Sequence, residues 1–208
     1  MLKIAALLFA FNGLFLNVHT DPITNDPIEE NVKIIIDSEK SSLSWTGYKV
    51  TGQHNGQVNI ESGELIVTNG KLAGGQFVID MPSISVLDLE GEYRGKLESH
   101  LKSDDFFGVE KHPRATFRIG KVTPSATTGT YKVEGQLTIK NITNPISFET
   151  TMVEQDGMSV ATAAIKVDRS KYDIRYRSGS FFENLGDKAI YDEFDIEVKL
   201  VGSPVAAN

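Results

Sequence analysis

Residues 131–140, YKVEGQLTIK, place Tyr131, Val133, Leu137 and Ile139 alternately with Lys132, Glu134, Gln136, Thr138 and Lys140. A period of two is the signature of a strand with one buried face. The same period recurs on both sides. Leu43 and Trp45 alternate with Ser42, Ser44 and Thr46; Val58 and Ile60 with Asn59 and Glu61; Leu65 and Val67 follow Gly63. Phe77, Ile79 and Met81 share a face, as do Ile146, Phe148, Thr150 and Met152. Ala161, Ala163, Ile165 and Val167 form another such row, and Phe194, Ile196, Val198 and Leu200 close the chain. Val32 to Ile36 offers a short first strand. Turns are expected at Gly52–Gly56, near Gly63, at Asn69-Gly70, over Asn141–Pro145 and at Asp156-Gly157, and a bulge at Gly74-Gly75. Short connections mean antiparallel pairing. One apolar face per strand demands that the sheet close on itself or meet another sheet. The expected fold is therefore all-β, an antiparallel closed barrel of about eight strands with one short helical insertion.

The insertion is read over Ser83 to Leu101, where Tyr93, Leu97 and Leu101 recur every four residues. Next comes His100–Phe117, HLKSDDFFGVEKHPRATF. Ser103 ahead of Asp104 and Asp105 predicts a capped helical turn. Pro113 breaks it, and Ala115 to Ile119 resumes as a strand. Phe106 and Phe107 are large apolar side chains in a polar segment. They serve either as a plug on the core or as a lid over a cavity. The small residues Ala161 and Ala163 leave room on an inward face, for a neighbouring side chain or for a ligand. A long loop rich in Tyr and Arg spans residues 168–192.

Composition excludes several classes. The chain has 208 residues, 40% hydrophobic and 24% charged, the balance of an ordinary globular domain. With 28 acidic against 21 basic residues it carries a net charge of −7, which argues against nucleic acid as a partner. There is no cysteine, hence no disulfide, thiolate metal site or cysteine nucleophile. No GxSxG nucleophile motif is present. His100, Asp104, Asp105, Glu110 and His112 match no standard zinc spacing. Lys3 followed by the apolar run Ile4–Leu16 suits a secretory signal peptide over residues 1–20, removed on export to the periplasm or outside, with an uncleaved anchor as the alternative. Residues 21–31 read as a linker, 32–202 as the domain and 203–208 as a tail.

The stretch HLKSDDFFGVEKHPRATF, followed about twenty residues later by YKVEGQLTIKNITNPISF, resembles the paired signature of the YceI-like family. The matching positions are Leu101-Lys102-Ser103, Asp105-Phe106-Phe107, Pro113, Ala115 and Phe117, then Gly135, Leu137-Thr138-Ile139-Lys140, Thr143 and Pro145. Trp45, Gly56, Gly63 and Asp192-Glu193-Phe194 follow in the family's order, so the resemblance spans residues 32–202. It implies a lipocalin-like barrel that binds a long isoprenoid or other amphiphilic lipid. It also implies export to the bacterial periplasm and, in some members, homodimers. It brings no catalytic residue set and no cofactor, so the expected activity is binding rather than catalysis. Arg169 matches the family's loop arginine, but the 168–192 loop is longer than that of many relatives.

On this reading Trp45, Phe77, Ile79, Phe117, Leu137, Ile139, Phe148 and Ala163 are candidates for the inner wall, and Phe106 and Phe107 for the lid. Lys49, His54, Arg175 and Arg177 are candidates for holding an anionic head group. Membrane contact would serve only ligand transfer. The rival reading is a structural or stress-related envelope protein whose barrel is filled by its own side chains.

Overall fold

In the computed structural model, which describes residues 31–205, nine strands and one helix follow one another along the chain. They are β1 (Asn31–Ile36), β2 (Ser42–Lys49), β3 (Gly52–Thr68), β4 (Lys71–Val86), α1 (Gly91–Lys102) and β5 (Arg114–Pro124). β6 (Thr130–Ile139), β7 (Ile142–Gln155), β8 (Met158–Asp168) and β9 (Ile190–Val205) complete the set. The expected signal peptide and nearly all of the expected linker lie outside the described residues. Ser203–Val205, expected as tail, belong to β9.

All pairings between these strands are antiparallel, in the order β3-β2-β9-β8-β7-β6-β5-β4, and β4 returns to β3. Eight strands thus close a ring, as the alternating pattern requires. β1 is a wedge at one end, pairing Ile34 with Leu65 of β3 and with Pro204 of β9. The turns Asn69-Gly70 and Asp156-Gly157 have both residues at positive φ, as tight two-residue hairpins require. Ala73 is the extra residue where Ile66 pairs with Gly74 but Val67 with Leu72, a bulge beside the expected glycines.

Three expected turns are strand instead, each for a packing reason. Residues 53–56 lie inside β3, with Gly56 opposite Trp45. A Cβ on Gly56 would stand 1.8 Å from the Ser85 carbonyl oxygen and 2.5 Å from Trp45 Cζ2, so this glycine admits the indole. Gly63 lies opposite Phe77, where a Cβ would come within 2.5 Å of the ring. Pro145 lies within β7, because Lys140 and Asn141 alone make the turn, with φ of 51° and 61°. A two-residue turn makes Ile139–Ile142 a hydrogen-bonded pair, and alternation makes Gln136–Pro145 a non-bonded one. The Pro145 nitrogen therefore faces β8, whose ladder with β7 covers only Thr150–Gln155. At Pro145 that edge is free, the place where a sheet tolerates proline.

The helix is shorter than expected. Ser83 to Val86 remain in β4, with Ser83 Oγ accepting from Asn59 N at 2.7 Å and donating to Asp80 O at 2.6 Å across a bulge. Ser103 ends α1 rather than starting a new turn. Its backbone is extended, and its N–H reaches the Ser99 and His100 carbonyls.

Candidate lipid cavity

The barrel encloses a cavity of about 210 Å³. Its position follows from which inward faces pack. On β3 and β4, Val58, Ile60, Leu65, Leu72, Phe77 and Ile79 are buried. Across the barrel, Ile146, Phe148, Ala163, Ile165, Phe194, Ile196 and Val198 point inward yet stay only half-buried. A side chain inside a closed ring keeps accessible surface only if space lies beside it. The space therefore runs along β2, β7, β8 and β9. Ala161 is packed, whereas Ala163 borders the open volume. Every inner-wall candidate borders the cavity: Trp45 on β2, Phe77 and Ile79 on β4, Phe117 on β5, Leu137 and Ile139 on β6, Phe148 on β7 and Ala163 on β8. Phe77 stacks on Phe117 at 6.4 Å, and Phe117 meets Phe148 at 5.5 Å, forming an aromatic wall.

The end nearest β1 is packed shut by Leu65, Leu72, Tyr131, Val133 and Leu200, all buried. The other end is covered by two loops. Phe106 and Phe107 come from residues 103–112, where Phe107 N donates to Leu101 O and Gly108 N to Ser103 O. Both rings border the cavity. Phe106 packs edge-on to His100 at 5.0 Å and lies 5.6 Å from Tyr176 of the second loop.

A scan against protein-family models matches the YceI-like domain over residues 35–202. The chain belongs to the YceI-like family. Its fold agrees with BcnA of Burkholderia cenocepacia at a TM-score of 0.65 and 21% identity, covering 80% of this chain and 98% of that one. A polyisoprenoid binding domain from Saccharophagus degradans, implicated in plant cell wall breakdown, gives 0.62 at 12% identity, covering 83% and 98%. At these identities the likeness concerns the fold. Among curated proteins, two UPF0312 proteins of Staphylococcus aureus are 35% identical over 86 residues and 44% over 62, which are 38% and 30% of this chain. The matches span less than half of those relatives' length, 47% and 31%.

The cation in this YceI-like cavity wall is none of the four head-group candidates, which the structure places away from it. His54 Nδ1 is bonded to Asp88 Oδ2 at 2.7 Å, tying β3 to the connection after β4. Arg175 pairs with Asp173 and lies over the Phe181 ring. Arg177 lies over Tyr176, and Lys49 sits at the end of β2 opposite Gly52. The cation that does border the cavity is Arg169, 4% exposed. Its Nε donates to Tyr191 O at 3.0 Å, Nη1 to Ile174 O at 2.9 Å and Nη2 to Ile190 O at 2.9 Å. Asp192 Oδ1 lies 3.4 Å from Nη2. Burial pushes the guanidinium below its ordinary value, opposed by Asp192 and Asp168. Arg169 thus pins the second loop over the barrel. Its one signal in the sequence was the match to the family's loop arginine.

Asp104 is engaged by Lys111 at 2.6 Å, and His100 is wedged between Phe106 and Tyr176. Among the described residues no three His, Asp or Glu side chains gather as metal ligands.

Proposed function

We propose that this protein binds one amphiphilic lipid chain, isoprenoid or fatty, inside the barrel and carries or stores it without changing it chemically. The observation that carries this reading is the half-buried inward face of β7, β8 and β9 inside a closed ring. A barrel filled for structural purposes would bury these residues as completely as Val133 or Val167, each 1% exposed. The name of the Saccharophagus degradans domain points the same way. Burying an apolar chain is sufficient drive. At about −0.3 kcal/mol per heavy atom, a chain of about 20 atoms gains about −6 kcal/mol, a dissociation constant of tens of micromolar. The reading includes export, supported by Lys3 and the apolar run Ile4–Leu16.

The test is native mass spectrometry, with organic extraction, of protein made in an exporting bacterial host. A stoichiometric adduct that extracts as a prenyl or fatty species is expected. Loss of about the first twenty residues would report the cleaved signal peptide. A clean apo mass and no uptake of added lipids would refute lipid binding.

A further inference from the structure

We infer, resting on the lipid-binding reading, that the ligand is a single chain of medium length whose head group is uncharged. Length follows from volume. At about 10–15 Å³ of such space per water, a 210 Å³ cavity holds about 14–21 waters. A methylene fills about as much liquid volume as a water, so the cavity suits a chain of about 14–21 carbons. That is three to four isoprene units, or a common fatty chain. A chain about twice as long would overfill it, and the surplus has no path onward. Buried Leu72, Tyr131 and Leu200 fill the far end, and Phe106 covers the near one.

Charge follows from Arg169. Among the described residues it is the ionic side chain in the cavity wall. Three of its donors already serve the carbonyls of Tyr191, Ile174 and Ile190, and Asp192 balances its charge. A phosphate or carboxylate drawn into the barrel would find no uncommitted cation there, and burying an isolated anion is strongly unfavourable. An alcohol, ketone or ester meets no such barrier.

Gly47 supplies an internal ruler. It borders the cavity on β2 opposite Phe194, and a Cβ there meets nothing within 4 Å. Gly47→Phe therefore puts a benzyl group of seven carbons, by its formula, into free space.

The experiment is a binding series on the full mature protein with geraniol, farnesol, geranylgeraniol and solanesol. Farnesyl and geranylgeranyl diphosphates are measured beside the alcohols. Affinity should rise from geraniol to farnesol or geranylgeraniol and fall for solanesol. Each alcohol should bind at least about tenfold tighter than its diphosphate. In Gly47→Phe the optimum should move to a shorter prenol. Tightest binding of solanesol, or an optimum that does not move in Gly47→Phe, overturns the length inference. A diphosphate that matches its alcohol overturns the charge inference. If no prenol or diphosphate binds at all, the lipid-binding reading itself has failed.

Discussion

Replacing Ala163 by phenylalanine tests the cavity most directly. Ala163 stands on β8 between Thr150 of β7 and Val198 of β9, its side chain at the edge of the open volume. The substitution adds a phenyl ring, six carbons by its formula, to a space worth about 14–21. A ligand must then give up a comparable length of buried chain. At about 0.8 kcal/mol per methylene the loss reaches about 5 kcal/mol. At the leaner −0.3 kcal/mol per atom it is about 2 kcal/mol. Affinity should fall by a factor between about 30 and a few thousand. The protein carries its own reporter, since Trp45 is its single tryptophan and lines the cavity. Titration of farnesol or palmityl alcohol against tryptophan fluorescence reads the loss. Thermal unfolding is the control: a ring that enters empty space leaves the midpoint unchanged or raises it. A variant equally stable and equally good at binding would refute the placement of the ligand in this barrel.

Three other outcomes follow from the packing. Gly56→Ala drives a methyl against the Ser85 carbonyl and the Trp45 ring, and should lower unfolding free energy by about 3 kcal/mol; an unchanged urea midpoint would contradict the contact. Arg169→Lys keeps the charge but not the fork that serves three carbonyls. It should cost about 2–4 kcal/mol and make the 169–192 loop a protease target, and wild-type resistance would show that the loop is held otherwise. Asp195 is held below the usual carboxylate range by hydrogen bonds from Lys166 and then Tyr48. A depressed folded pKa contributes stability that is fully present above the unfolded value near about 4 and is lost as pH falls through the folded one. Urea midpoints should therefore stay level from neutral to about pH 5 and decline below about pH 4, and Asp195→Asn should decline less steeply. An identical acid limb in the variant would remove Asp195 from the account.

Much of the barrel was legible because water on one side and core on the other impose alternation, and Tyr131–Lys140 shows it almost unbroken. The lid was legible for a related reason: Phe106 and Phe107 are too apolar for their charged surroundings. What misled were residues chosen for contacts rather than for chain direction. Gly56 and Gly63 have the composition of turns, but their missing side chains admit Trp45 and Phe77. Pro145 has the look of a break, yet stands where a strand edge is free. The head-group candidates went astray because the number of basic residues in a loop says nothing about which one is buried. Arg169 differs from Arg175 and Arg177 only in what surrounds it after folding. Cavity size was illegible in principle, since it is a small difference between the volume enclosed and the volume filled. Ala161 and Ala163 look alike in sequence and differ in exactly that balance.

The incomplete ladder between β7 and β8 gives the barrel a seam. Above Thr150 the two strands part, and the 3-10 turn Arg169–Tyr172 sits across the gap. Asn144 Nδ2 donates to Lys171 O at 2.9 Å and Lys140 Nζ to Asp173 O at 3.1 Å. Two side-chain hydrogen bonds fasten this margin, where a continuous backbone ladder fastens β6 to β7. Mechanically the wall is stiff around most of its circumference and compliant along one line. Amide exchange should therefore be fast on the β8-facing edge of residues 142–149 and slow on the edge facing β6. The barrel can widen there as a zip opens from its top, with the rest of its ladder still closed.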